Sequence, residues 1–388
     1  MSYYSLPKNK NSILLNPISS LNNSSNYISY SLINYYNYLN SKLLELIKTN
    51  KYIKELELKE NQENQENQEN EELHNYYDFF IKSINHYEYL YSKIPNTNDY
   101  ITNLKYQNVV IYDLIEINST LNLFNTNNKL NLLIISPNYL DIIYFFELTR
   151  ENYKNDNYYV LENFNITKHK LLDEKFEFIY YEPENDTNFF KKVKPKILNK
   201  NLVLEETISS YNDYIVSLSQ VLLIILRNQN VKGNCIIKIN ELFLKPVLDI
   251  LYFLCYCYEN VYIIKPNSNN IISYDKYIVC NNFLLNTNNN SQSRLLKLNF
   301  YRLLVFLKKL DSKIINGLLD FEIPCYFKNK INDLNNIIGE KQLSYLDELI
   351  NILNSKNINE KLEYLKKSNI KKVINWCEKY NIPYSRLL

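Results

Sequence analysis

Three glycines, Gly233, Gly317 and Gly339, are all that this chain of 388 residues contains. Glycine takes positive φ without a Cβ penalty and lets backbone approach a ligand closely. A Walker loop and a G-x-G-x-x-G dinucleotide loop each need more than one glycine within a single short turn, so neither can exist here. Readings as a P-loop nucleotide hydrolase, a protein kinase or an ordinary dinucleotide-binding enzyme are therefore poor. Alanine is absent too, and Asn, Ile, Tyr and Lys dominate, a bias that an AT-rich coding sequence produces.

The 44 Lys and Arg against 42 Asp and Glu leave a net charge of +2. That balance excludes a strongly basic nucleic-acid coat but leaves room for a local basic groove. No run approaches the length of apolar residues that spans a bilayer, and the opening MSYYSLPKNKNSILLNP lacks the pattern of a signal peptide. The expectation is a protein that is intracellular, not secreted and not membrane-bound. Six cysteines (Cys235, Cys255, Cys257, Cys280, Cys325, Cys377) form no C-x-x-C pair, and only His74, His86 and His169 accompany them. The expectation is buried reduced thiols and no metal site.

Along the chain, the Asn/Ser-rich stretch to about residue 30 is expected to be loosely ordered, and residues 31–58 carry apolar residues at helical spacing. Together they form an N-terminal, partly helical segment, 1–58. The repeat KENQENQENQENEE opens a low-complexity linker, 59–75, that has too little apolar content to build a core. From about residue 110, strand and helix alternate. Buried strands are expected at 130–136, 176–182, 234–240, 260–266 and 276–283, and helices at 209–229 and 243–257, with Gly233 at a helix exit or tight turn. This alternation predicts an α/β fold, doubly wound around a mainly parallel sheet. Beyond 290 only helical segments are expected, at 293–310, 341–354, 358–367 and 369–380, in a helical extension, 286–388.

Residues 209–283 run as a long helix, then KGNCIIKIN, a second helix, and ENVYIIKPNSNNIISYDKYIVCNNF. This order resembles the FtsJ-like RNA ribose 2'-O-methyltransferases, most closely the branch found in large DNA viruses. Lys238, Lys265-Pro266, Ser268, Asp275 and Lys276–Cys280 fall at matching places. Upstream, NHYEYLYSKI (85–94), VVIYDLIEI (109–117) and FEFIYYE (176–182) extend the resemblance to about 76–285. It implies a Rossmann-like methyltransferase sheet with helical additions at both ends. S-adenosylmethionine is the implied methyl donor and RNA, with the mRNA cap region as candidate, the implied substrate. A Lys-Asp-Lys-Glu tetrad would surround the ribose hydroxyl. Here its positions hold Asp113, Glu182, Lys238 and Asp275. The implied cofactor loop is Ser136-Pro137-Asn138-Tyr139-Leu140, without glycine, where Asn138 is the residue able to take a left-handed conformation. Two arginines of the pattern are replaced by Val109 and Asn270. Lys105 is a candidate second amine to offset Asp113.

Each of these residues also has a plainer reading. Lys238 could be a solvated strand terminus, Glu182-Pro183 a strand end, and Asp275 a partner of Lys276. The basic pairs Lys191-Lys192, Lys308-Lys309, Lys366-Lys367 and Lys371-Lys372 could track a phosphate backbone or simply form helix surfaces. Two function classes follow. One is an RNA methyltransferase. The other is an inactive methyltransferase-fold subunit that binds RNA or scaffolds a partner RNA-processing enzyme. Either belongs in the cytoplasm, or in a viral factory or virion for a viral chain.

Overall fold

The computed structural model describes residues 2–20, 29–49, 69–95, 97, 99–124, 128–161, 174–183, 200–285, 290–310 and 313–385. In chain order the elements are β1 (Ser2–Ser5), β2 (Ile18–Ser20), α1 (Tyr30–Thr49), α2 (Glu69–Ile84), α3 (Val109–Leu121), β3 (Asn131–Ile135), α4 (Tyr139–Thr149) and β4 (Asn157–Leu161). There follow β5 (Phe176–Tyr181), α5 (Lys200–Asn228), β6 (Gln229–Ile239), α6 (Lys245–Cys257), β7 (Tyr258–Lys265) and β8 (Lys276–Phe283). The last are α7 (Asn290–Lys308), β9 (Ile314–Gly317), α8 (Cys325–Leu353) and α9 (Ile358–Tyr380). The chain divides into two compact units. The first is Met1–Ile28, Ile117–Pro266 and Asp275–Leu334; the second is Ser29–Glu116, Asn267–Tyr274 and Asn335–Leu388.

The first unit is built on a seven-stranded sheet in the order β1-β7-β8-β6-β5-β3-β4. The strands β4, β3, β5 and β6 are mutually parallel. β8 runs antiparallel to both β6 and β7, so it is the reversed strand set between two parallel ones. The expected mainly parallel α/β sheet is thus present. Its interior strands are apolar on both faces, as parallel strands covered on both sides must be: Leu132, Leu133, Ile134, Phe178, Ile179, Ile236 and Ile278 are all buried.

Three features of this unit depart from the sequence reading. First, the N-terminal stretch is ordered from Ser2 to Ser20. β1 pairs antiparallel with β7 and covers its edge, and β2 pairs with β9. Between them Leu6, Ile13 and Leu15 are buried, and Asn299 of α7 clamps this segment by accepting the Leu15 N–H at 2.8 Å and donating to the Ile13 carbonyl. Second, β4 and β9 were not expected; both are short, and β4 alternates too weakly to stand out. Third, Gly233 lies inside β6 and has no positive φ; Lys232 beside it takes φ 64°. The register to β5 slips there, between Phe176 and Phe178. A Cβ on Gly233 would come within 2.9 Å of both the Asn230 and Glu177 carbonyls, so the bulge requires glycine for room, not for its dihedral freedom.

The second unit is helical. α1 presents Ile33, Tyr36, Leu39, Leu43 and Ile47 at helical spacing, and most of this stripe packs with Phe80, Ile81 and Ile84 of α2 and Leu346, Leu349 and Ile350 of α8. α2 begins at Glu69, inside the stretch read as linker, and α9 is one continuous helix where two were expected. Residues 50–58 of the expected first helix, linker residues 59–68 and the pair Lys191-Lys192 lie outside the described residues. Five of the six thiols are buried and Cys325 is exposed. No described helix is long and apolar enough to cross a membrane.

Gly233→Ala must push the bulge carbonyls aside in a packed sheet, and overpacking of this kind costs about 1–3 kcal/mol. Urea denaturation is expected to show a loss of that size.

Candidate functional site

β3 has β4 on one side and β5 on the other, so the crossover from β3 and the crossover from β5 leave in opposite directions. In open α/β sheets this reversal leaves a crevice beyond the carboxyl ends of the strands, and ligands bind there. Ser136 directly follows β3, Glu182 directly follows β5, and Lys238 is the penultimate residue of β6. These three residues therefore meet at that crevice.

They meet through one carboxylate. Lys238 Nζ lies 2.7 Å from Glu182 Oε1. Ser136 Oγ donates to Glu182 Oε2 at 2.8 Å, and Asn138 Nδ2 donates to the same oxygen at 3.2 Å. The Asn138 N–H in turn donates to Ser136 Oγ at 2.9 Å, and the Glu182 N–H donates to the Ile135 carbonyl. Glu182 and Lys238 are 4% and 8% exposed, so the pair is buried and Lys238 is not a solvated strand terminus. A buried carboxylate needs this density of donors to offset its lost hydration.

Asn138 does not take the left-handed conformation. Its φ is −96°, and it stands at the N-cap of α4 without capping it, because its side-chain amide is turned to Glu182. Leu140 is 51% exposed, Pro137 is exposed and Tyr139 half-buried, so the apolar side chains of this loop face outward while its polar groups face Glu182.

Two further lysines reach the same edge of the sheet. Lys265 ends β7, and its Nζ donates to the Asp275 carbonyl at 2.9 Å. Lys276 begins β8, opposite Ile239, and is buried. Asp275 is half-buried beside it, and its side chain favours the charged ammonium of Lys276. Close by is Glu241, which the sequence reading missed although it interrupts the apolar run of KINELFLKPVL. It is 1% exposed; one carboxylate oxygen accepts the Phe243 N–H and the other has no hydrogen-bond partner among the described residues. Burial pushes the Glu241 carboxyl up to about 7, against the pull of the Phe243 N–H and of Lys276. Burial likewise brings the Lys276 ammonium down to about 8, although Glu241 and Asp275 oppose the shift.

Asp113 belongs to the second unit, where both of its oxygens accept hydrogen bonds. Ser268 Oγ donates to one of its oxygens at 2.6 Å and Asn269 Nδ2 to the other at 3.0 Å. One helical turn on, Glu116 accepts the backbone N–H groups of Asn267 and Ser268 and the indole N–H of Trp376, the last at 2.6 Å. Both carboxylates thus hold the loop that follows Lys265-Pro266. Asn270 closes that loop by accepting the Ile272 N–H. Lys105 is exposed with its ammonium 5.0 Å from the Tyr106 ring, and it lines an open cavity of about 630 Å³ together with Asp99, Tyr100 and Gln107. Among the described residues no group of three His, Cys, Asp or Glu side chains is placed to hold a metal ion.

Two outcomes follow. A double-mutant cycle of Glu182→Gln and Lys238→Met, read by urea denaturation, is expected to give a coupling of about 1–3 kcal/mol. The second concerns pH. Glu241 binds its proton more tightly folded than unfolded, so its contribution is fully present below pH 4.5 and is lost as pH rises through about 7. Lys276 binds its proton less tightly folded, so its contribution is present above pH 10.5 and lost as pH falls through about 8. Glu241→Gln is expected to flatten the fall in stability between pH 4.5 and 7, measured by denaturation across that window.

Comparison with protein-family models gives no match to this chain, and comparison with curated proteins gives none either.

Proposed function

We propose that the chain is a Rossmann-like methyltransferase of the FtsJ-like kind, transferring the methyl group of S-adenosylmethionine to a ribose 2'-hydroxyl of RNA, with the cap region of mRNA as candidate substrate. The observation that carries this reading is the Glu182–Lys238 pair at the crevice where the sheet reverses, next to the Ser136–Leu140 loop. The mostly parallel sheet is compatible with it. So is the chemistry of the crevice, where the Glu182 carboxylate suits a sulfonium cation and the outward Pro137 and Leu140 offer apolar surface to a base.

When bound, S-adenosylmethionine supplies a methyl carbon activated by its sulfonium. Lys238 would orient the ribose hydroxyl and, once its ammonium has given up a proton to solvent, would take the hydroxyl proton as the methyl passes from sulfur to oxygen and the thioether leaves; Glu182 would fix the amine, and Ser136 and Asn138 would fix Glu182. Asp275 and Lys276 flank the same edge. The buried thiols suit a reducing compartment, the cytoplasm or, for a viral chain, a viral factory or virion.

A second reading has its own observation. Both oxygens of Glu182 are already occupied from within the chain, the loop has no glycine, and a carboxylate, Asp113, stands where the resemblance expects a cation. These features favour an inactive methyltransferase-fold subunit that binds RNA or supports a partner RNA-processing enzyme.

Calorimetric titration with S-adenosylmethionine and S-adenosylhomocysteine separates the two. Micromolar binding is expected, together with methyl transfer to RNA that falls by about 10²–10⁴-fold in Lys238→Met. A folded protein that binds neither compound up to millimolar concentration overturns the enzyme reading in favour of the subunit.

A further inference from the structure

Between Asp275 and Asp311 the chain carries no acidic residue, and α7 lies in that stretch. Its inner face is fixed. Leu296, Asn299, Leu303 and Leu307 are buried, Asn299 clamps the N-terminal segment, and Arg302 turns its guanidinium to the Leu15 carbonyl. The outer face is different. At about 100° per residue, Arg294, Lys297, Leu298, Tyr301, Val305, Lys308 and Lys309 fall within an arc of about 120° along roughly 22 Å of helix.

Arg294, Lys297, Leu298, Tyr301, Lys308 and Lys309 are exposed, Tyr301 to 64%. None of the four cations pairs with an acid among the described residues, and the Tyr301 ring stacks on no described ring. A sequence with nearly equal numbers of acids and bases has therefore placed four bases and no acid on one face, around a phenol in water. Polar residues would solvate such a face equally well. Cations spaced along a line serve a polyanion, because each neutralised phosphate releases counterions. An exposed aromatic ring among them adds a platform on which an unpaired base can stack.

We propose that the outward face of α7 binds single-stranded RNA, with Arg294, Lys297, Lys308 and Lys309 along the phosphates and Tyr301 under a base. The choice of RNA as the polyanion rests on the function proposed above, but the surface itself does not depend on methyl transfer. None of its residues is among those bonded to Glu182.

The test uses the full chain and a short fluorescein-labelled uridine oligonucleotide, titrated over a range of salt. Arg294→Glu, Lys297→Glu and Lys308→Glu combined are expected to weaken binding by about tenfold or more and to flatten the slope of log affinity against log salt by about 2. Tyr301→Ala is expected to cost about tenfold, and Tyr301→Phe to restore the affinity. Circular dichroism melting checks that each variant is folded. Unchanged RNA affinity in the charge-reversed variant overturns the proposal. So does binding to phosphatidylserine vesicles without binding to the oligonucleotide. Equal affinity for duplex RNA with no loss in Tyr301→Ala overturns the single-strand assignment. Calorimetry with S-adenosylmethionine on the wild type and the same variants keeps the two readings apart: RNA affinity unchanged by the α7 substitutions while the donor binds counts against α7 alone, and RNA affinity lost in the variants as expected while the wild type binds no donor counts against the methyltransferase reading alone.

Discussion

One buried carboxylate ties together the ends of three strands. Glu182 follows β5, takes the ammonium of Lys238 from β6, and accepts from Ser136 and Asn138 in the loop that leaves β3. Each group answers a separate need. The carboxylate cannot be dry without donors, Lys238 cannot be dry without an acid, and the Asn138 N–H finds its acceptor in Ser136 Oγ. The same bonds settle where α4 begins, since the Asn138 carbonyl accepts the first N–H groups of that helix. The crevice at the reversal of the sheet is thus a rigid polar cluster whose chemistry and stability cannot be altered independently.

The long, strongly apolar strands β3, β5, β6, β7 and β8 and the helices α5 and α6 were legible because burial on both faces leaves continuous runs of Ile, Leu, Val, Phe and Tyr. β8 was read to the residue. β1, β2 and β9 were not legible, since a three- or four-residue strand is fixed by the edge it meets and not by its own periodicity. Gly233 misled for a related reason: a glycine beside a helix reads as an exit, whereas here it relieves a clash with the neighbouring strand. At the site, motif order singled out Lys238 and Glu182, which the fold does join. Glu241 and Glu116 escaped because nothing local marks an acid whose partners are backbone N–H groups or distant side chains.

Asp113 shows the limit of carrying roles along a motif. A position equivalent in sequence order need not present the same charge to the same neighbour. In this chain the α3 carboxylates Asp113 and Glu116 serve as acceptors for the loop at 267–269, taking backbone, hydroxyl, amide and indole donors. A loop so held has few conformations left to it, whatever it contacts.

The left-handed positions of the described chain have a wider consequence. They are filled by Ser29, Asn122, Lys232, Asn282 and Asn381, and by no glycine. Asn381 ends α9 in this conformation, its N–H donating to the Cys377 and Glu378 carbonyls as a terminal glycine's would. A residue with a Cβ at such a position strains the native backbone slightly, yet it also narrows the range of shapes open to the unfolded chain compared with glycine. Multiplied over a sequence with three glycines, the second effect lowers the disorder that folding must overcome. A composition nearly free of glycine therefore leaves behind an unfolded backbone with fewer shapes to lose.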